Sequence, residues 1–239
     1  MEDIHIRTNN EPLSNINSGI YDGYQVPMHS LETHQFQMLL ACETTGRVLD
    51  VGCADGQFAG YLNQSGRVCF GNDINLTNAL MASERGVNTV VCDLSFLLPY
   101  VDRSFDVVVA KQVCEHLVDT RMFFLECWRV LHPGGCLIVG TPNLASLTNR
   151  VRLLFGRYPV YMDYELVRGQ GHVRYYTMDV LREQLVSMGF HIDKQLGRAV
   201  PVPIVSRFLS GGTARPLAWL GRMVPSLSDN LVIKARKSY

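Results

Sequence analysis

The chain has 239 residues, 47% hydrophobic and 18% charged, enough apolar side chain to fill the core of one domain. Its 22 basic residues balance its 22 acidic ones, so no basic face is advertised and nucleic acid is not an expected partner. Seven cysteines without a C-x-x-C pair, a polar Met1–Ile20 and the lack of a bilayer-length apolar run are read as a protein of the reducing cytoplasm.

In chain order, residues 1–28 are expected to form a flexible arm, followed by a helix near Ser30 to Cys42. Val48-Leu49-Asp50-Val51-Gly52-Cys53-Ala54-Asp55-Gly56 then takes an apolar run through an acid into a glycine-punctuated turn. Gln57 to Asn63 continues as a helix. Such a strand empties into a helix N-terminus, where backbone amides can hold a ligand, and Gly52 and Gly56 keep Cβ atoms out of its way. Ala54 stands where a dinucleotide-binding G-x-G-x-x-G turn has its middle glycine, and Asp50 and Asp55 flank the turn. Carboxylates repel phosphate, so the expected ligand is a nucleoside with a positive end rather than a pyrophosphate. On this reading, Gly52→Val should block the ligand and leave most of the fold intact.

Val68 to Asp73 reads as a second strand, with its acid about 20 residues beyond the turn, where a carboxylate can accept both hydroxyls of a ribose. Thr89 to Leu94 is a third strand with Asp93 near its end, and Phe105 to Ala110 is a fourth. Three acids at successive strand ends converge on one edge of a parallel sheet, where such folds bind ligands. Val118 to Val130 is amphipathic, and Pro133-Gly134-Gly135 turns into strand five, Cys136 to Gly140. Thr177 caps a helix running to Met188. His191 to Arg198 and Asn230 to Arg236 are the last two strands and form an antiparallel edge, with residues 199–226 inserted between them.

Val48–Gly56, Asn72-Asp73, Cys92-Asp93, Ser104–Val108 and Arg129-Val130-Leu131-His132-Pro133-Gly134-Gly135, in this order and spacing, resemble the class I S-adenosylmethionine-dependent methyltransferases. The likeness covers residues 48–143 and is strongest to their small-molecule type 11 branch. It implies an α/β fold: a Rossmann-like, doubly wound, seven-stranded, mostly parallel sheet with an antiparallel last strand, in one domain over residues 1–239. It also implies S-adenosylmethionine as cofactor. Asp50, Gly52, Cys53 and Gly56 would line its methionine end, and Asp73 would take the ribose hydroxyls. Asp93 would accept from the adenine amine, the Leu94 amide would sit by the ring, and Gln112 would border the sulfonium and the substrate. Asp55 and Ile74 complete the cofactor-binding candidates.

Residues 144–176 are expected to cap the ligand edge. Their arginines and tyrosines suit an acceptor with phosphate, carboxylate or sugar character, with Tyr161, Tyr164 and Arg174 as its candidate contacts. Methyl transfer from a sulfonium asks the protein to align the acceptor, exclude water and remove a proton, and a hydroxyl acceptor needs a base. His116 and His172 are the candidates. Glu115 is read as a solvated or capping acid, and no metal is expected. The function these residues support is methyl transfer to a small molecule, first of all to oxygen on a glycan, lipid or quinone-like acceptor. Two alternatives stay open: a non-catalytic cofactor-binding subunit, and another transferase on the same scaffold. Residues 199–226, apolar with interspersed arginines, are either a lid, a contact between copies or a peripheral membrane contact. The oligomeric state is open.

Overall fold

A computed structural model describes residues 30–41, 43, 46–163, 171–201 and 215–238. Its strands are β1 (Arg47–Val51), β2 (Val68–Asp73), β3 (Asn88–Val91), β4 (Phe105–Lys111), β5 (Leu131–Pro142), β6 (Phe190–Gly197) and β7 (Asn230–Lys237). They make one sheet in the order β3-β2-β1-β4-β5-β7-β6. The pairs from β3 to β5 are parallel, and β7 runs antiparallel to both β5 and β6. The expected fold class is the one observed.

Side chains alternate across each strand, and this period of two divides the core between the two faces of the sheet. Leu49, Val108, Leu137 and Ile233 point to one face, which Phe123, Phe124 and Cys127 of α4 (Thr120–Val130) and Leu181 and Leu185 of α6 (Met178–Ser187) cover. Val48, Val107, Val109, Ile138 and Val232 point to the other. There Phe36 and Leu40 of α1 (Leu31–Leu40) pack with Phe58 and Leu62 of α2 (Gln57–Gln64) and Ala82 of α3 (Leu76–Glu84). Helices on both faces leave only the strand ends open to a ligand.

Side-chain caps fix several helix starts. Ser30 accepts from the Thr33 amide, Asn75 from Asn78, Asp119 from Arg121 and Met122, Ser146 from Asn149 at α5 (Leu147–Leu154), and Thr177 from Val180. Thr177 therefore has its expected place. Two strand boundaries differ from expectation. β3 stops at Val91, so Asp93 lies in the following loop, where its Oδ1 accepts from the Ser95 amide at 2.8 Å. β5 begins at Leu131 and contains the Pro-Gly-Gly stretch. Phe105 pairs with Leu131 but Val107 with Cys136, so residues 132–135 bulge from the ladder, with Gly134 at φ 77°.

The arm over residues 1–28 lies outside the described residues. So do residues 202–214 of the segment inserted before β7, which beyond them holds α7 (Arg215–Met223) and a 3₁₀ turn, Pro225–Leu227. Among the described residues, no helix is long and apolar enough to cross a membrane.

Candidate active site

The turn after β1 is built on three left-handed residues, Gly52 (φ 67°), Ala54 (φ 48°) and Gly56 (φ 74°). Alanine pays a conformational penalty there of roughly 1 kcal/mol, offset by a fixed partner: the Ala54 amide donates to Asp73 Oδ2 at 3.0 Å. The Cys53 amide donates to the Asn72 carbonyl at 2.9 Å, and the Gly52 amide to Asn72 Oδ1 at 3.3 Å. The end of β2 thus clamps the turn. Asp73 Oδ1 accepts from the Asn75 amide at 2.9 Å, so this carboxylate is fixed in orientation, with lone pairs to spare for ribose hydroxyls. Ile74 follows it, half-buried. Burial nonetheless raises the Asp73 pKa.

Asp50 is buried at the end of β1. Burial pushes its carboxyl up to about 7 and the nearby Asp73 adds to this, against the pull of Lys111. A carboxylate so destabilised is strongly rewarded by an arriving cation. Cys53, also buried, is a thiol whose pKa burial raises, so it is a small apolar wall rather than a nucleophile.

Asp55 is a correction. Its side chain is 0% exposed and its carboxylate accepts from the Gln57 amide at 3.3 Å, from Gln57 Nε2 at 2.8 Å and from Arg85 Nη2 at 3.4 Å. It ties the turn to the end of α3 and presents no oxygen to a ligand. The Gly52→Val expectation also changes. A Cβ at Gly52 would come within 2.7 Å of Val113 Cγ2 on a backbone with φ 67°, so that variant would disturb the loop after β4 as well as a ligand.

That loop opens with a second strained residue, Gln112, at φ 57°. Its amide donates to the Gly140 carbonyl at 2.9 Å and its Nε2 to Glu32 Oε1 at 2.5 Å. Lys111 Nζ beside it donates to Thr33 Oγ1 at 2.7 Å. The first turn of α1 therefore closes over the carboxyl ends of β4 and β5. Glu32 is buried there, and desolvation raises its pKa against the pull of Lys111 and Arg198. The sequence offered no signal for it, because an acid in the first turn of a helix is ordinary.

Further along, the 3₁₀ turn Cys114–His116 meets the segment that follows residue 170. The amides of Val173 and Arg174 donate to the Glu115 carbonyl at 2.8 and 3.0 Å, and the rings of His116 and His172 lie 4.8 Å apart. His116 Nδ1 meets the Gly171 carbonyl at 3.2 Å, and His172 Nδ1 the Tyr161 carbonyl at 2.9 Å. With Nδ1 of each ring donating, Nε2 is its basic nitrogen. Burial, then the nearby His172, lowers His116 to about 4, so it is neutral at physiological pH. Glu115, expected to be solvated or capping, is 1% exposed instead and burial raises its pKa to about 8. Its side chain meets Thr141 Oγ1 at 3.0 Å and its carbonyl the amides of Val173 and Arg174, partners distant in sequence that local pattern cannot show.

Tyr161, at φ 62° and partly exposed, lines a cavity of about 410 Å³ with Ser146, Thr148, Val160, Pro201 and Asp229. Tyr164 lies outside the described residues. Arg174 is committed elsewhere: its guanidinium donates to the Val118 carbonyl, with Nε at 3.0 Å, and pins the loop before α4. Leu94 is half-buried just past Asp93.

Comparison with known proteins agrees with this geometry. Residues 49–139 match the family described as "Methyltransferase domain". A probable S-adenosylmethionine-dependent methyltransferase of Mycolicibacterium smegmatis is 33% identical over 160 residues, covering 66% of this chain and 57% of that protein. The mitochondrial ubiquinone biosynthesis O-methyltransferase of Homo sapiens is 30% identical over 118 residues, 46% of this chain and 32% of that one. The chain thus spans between a third and somewhat over half of these relatives. Among solved structures, a possible histamine N-methyltransferase from Thermotoga maritima shares the fold, with a TM-score of 0.65 and 20% identity over 94% of this chain and 99% of that one. The [4+2]-cyclase SpnF also shares it, with a TM-score of 0.61 and 20% identity over 95% and 93%. Turn, acids, sheet order and sequence likeness converge: residues 49–139 match a methyltransferase domain and are similar to S-adenosylmethionine-dependent methyltransferases.

Proposed function

We propose that the protein methylates an oxygen of a small-molecule acceptor. The observation that carries this reading is the pair of facing imidazoles beside the carboxyl end of β4, each with Nδ1 held by a carbonyl. S-adenosylmethionine, when bound, supplies a methyl group already activated on a sulfonium. In this proposal Asp50, with the turn from Gly52 and Cys53 to Gly56, holds the methionine end, and the acid there faces the ammonium. Asp73 takes the ribose, with Ile74 beside it, and Asp93 and the Leu94 amide meet the adenine. Gln112, set by Glu32, borders the sulfonium.

The acceptor enters over Tyr161. As its oxygen attacks the methyl carbon, the hydroxyl proton passes to an imidazole, His172 or His116. The described residues 144–163 and 171–176 act as the cap that excludes water. The lining of the cavity at Tyr161, apolar and hydroxyl side chains with the Asp229 carboxyl, suits a glycan, lipid or quinone-like acceptor, and the human relative, an O-methyltransferase of ubiquinone biosynthesis, supports oxygen and a quinone-like ring.

Two measurements test this. Calorimetric titration with S-adenosylhomocysteine is expected to give one site per chain. Transfer of labelled methyl to a panel of phenolic, glycan and lipid alcohols should then find a substrate, and His172→Asn should lower kcat by about 100-fold or more. S-adenosylhomocysteine affinity should stay within about twofold in that variant, since the imidazole acts on the acceptor. Cofactor binding with no transfer to any alcohol would favour the non-catalytic subunit.

A further inference from the structure

Glu115 Oε1 is a buried carboxyl oxygen with no hydrogen-bond partner among the described residues. An orphaned oxygen of this kind is costly, and one retained in a native structure calls for an explanation such as a catalytic role, a water or a bound ion. Its surroundings say what would. Ligand atoms of Glu115, His116 and His172 lie within 4.8 Å of one another. Both imidazoles hand Nδ1 to a carbonyl, of Gly171 and of Tyr161. That is the outer support by which a metal-ligating histidine is oriented, with Nε2 as the donor. The carboxylate is supported in the same manner: Thr141 Oγ1 donates to its Oε2 at 3.0 Å and Cys114 Sγ approaches the same oxygen at 3.7 Å.

We infer that Glu115, His116 and His172 form a site for a divalent transition-metal cation. Two imidazoles and one carboxylate are a borderline donor set, suited to zinc, cobalt or iron(II) and poorly suited to magnesium or calcium, which favour oxygen. Three protein ligands leave coordination positions open, as in catalytic rather than structural sites. For zinc at about 2.1 Å from each donor, tetrahedral ligand atoms stand about 3.4 Å apart, a spacing comparable to the 4.8 Å within which one ligand atom of each residue lies.

The site joins two segments distant in sequence, the turn after β4 and residue 172 of the cap. A bound cation would fix the cap onto the sheet edge. The site stands independently of the methyl-transfer reading; only its consequence rests on that reading. An acceptor hydroxyl taken as a further ligand would lose its proton at lower pH, and the pair would then act through the metal instead of taking the proton directly.

The experiment uses the full chain, stripped with chelator and checked by circular dichroism and by S-adenosylhomocysteine titration. Cobalt(II) is titrated by absorbance, and zinc and magnesium by calorimetry. The expected result is one cobalt or zinc per chain, visible d–d bands of low-symmetry cobalt, and no magnesium binding in the same range. Glu115→Gln and His172→Asn should each weaken binding by at least about tenfold while still binding S-adenosylhomocysteine. His172→Asn, on the cap, serves as the test if Glu115→Gln fails to fold. A folded, S-adenosylhomocysteine-binding parent that takes up no cobalt overturns the site, and so does metal binding unchanged in the variants, which would place the ion on the cysteines. Loss of S-adenosylhomocysteine binding with cobalt binding intact would sink the cofactor reading and leave the metal site standing.

Discussion

Asp50→Asn is expected to yield a protein that, without cofactor at pH 8, melts above the parent and yet gains no stability from S-adenosylhomocysteine. The folded chain holds Asp50 at about 7, chiefly because the group is buried, whereas an unfolded aspartate titrates near 4. Between those values the folded state keeps a proton that the unfolded chain has released. This group's contribution to stability is therefore full below about pH 4 and lost as pH rises through about 7. At roughly 1.4 kcal/mol per pH unit, the loss is about 4 kcal/mol as an upper bound. Asparagine removes the ionisation and its penalty together. The parent's affinity for S-adenosylhomocysteine should weaken below pH 7, by up to about tenfold per unit, because the ammonium proposed to meet Asp50 requires the carboxylate form. Thermal scans and calorimetry from pH 5.5 to 8.5 on both proteins check this. A parent whose stability and affinity are flat across that range would show that Asp50 is already ionised by pH 5.5.

The second large effect concerns the turn itself. Gly56→Ala should cost about 3–5 kcal/mol. The residue has φ 74°, worth roughly 1–2 kcal/mol against any Cβ, and that Cβ would lie 2.5 Å from both Cα and Cβ of Ala82 in α3. Backbone cannot rotate away as a side chain can, so α3 must shift. Gly66→Ala is the internal control, with φ 82° and nothing within 4 Å of the new Cβ, and should cost only the conformational part, about 1 kcal/mol. Urea denaturation of the pair separates strain from collision. Equal losses would mean that α2 and α3 slide apart freely.

What could be read from the chain beforehand was whatever neighbours in sequence decide. The run from Val48 to Gly56, the acids at 73 and 93 and the Thr177 cap each announce themselves within a few residues, and the alternation of strands with helices follows from period alone. What stayed hidden depends on segments far apart. Glu32 reaches Gln112 across eighty positions, and the Glu115 carbonyl takes the amides of Val173 and Arg174. Asp55 misled for the opposite reason. A carboxylate beside a ligand-binding turn looks the same in sequence whether it faces the ligand or, as here, Arg85 behind the turn. The bulge at residues 132–135 was hidden because a Pro-Gly-Gly stretch ordinarily ends a strand, while here β5 pairs on both sides of it.

The place of β7 has a consequence for how the chain is made. It is threaded between β5 and β6, paired along its length on both sides, although both neighbours precede it in sequence. On the ribosome, β1 to β6 emerge while the slot between β5 and β6 has no occupant, so the edge of β5, with its apolar Leu137 and Val139, stays open until residues 230–237 arrive. For that interval the nascent chain exposes a template for pairing with any other extended strand. Slowing synthesis before β7 should therefore increase aggregation rather than assist folding.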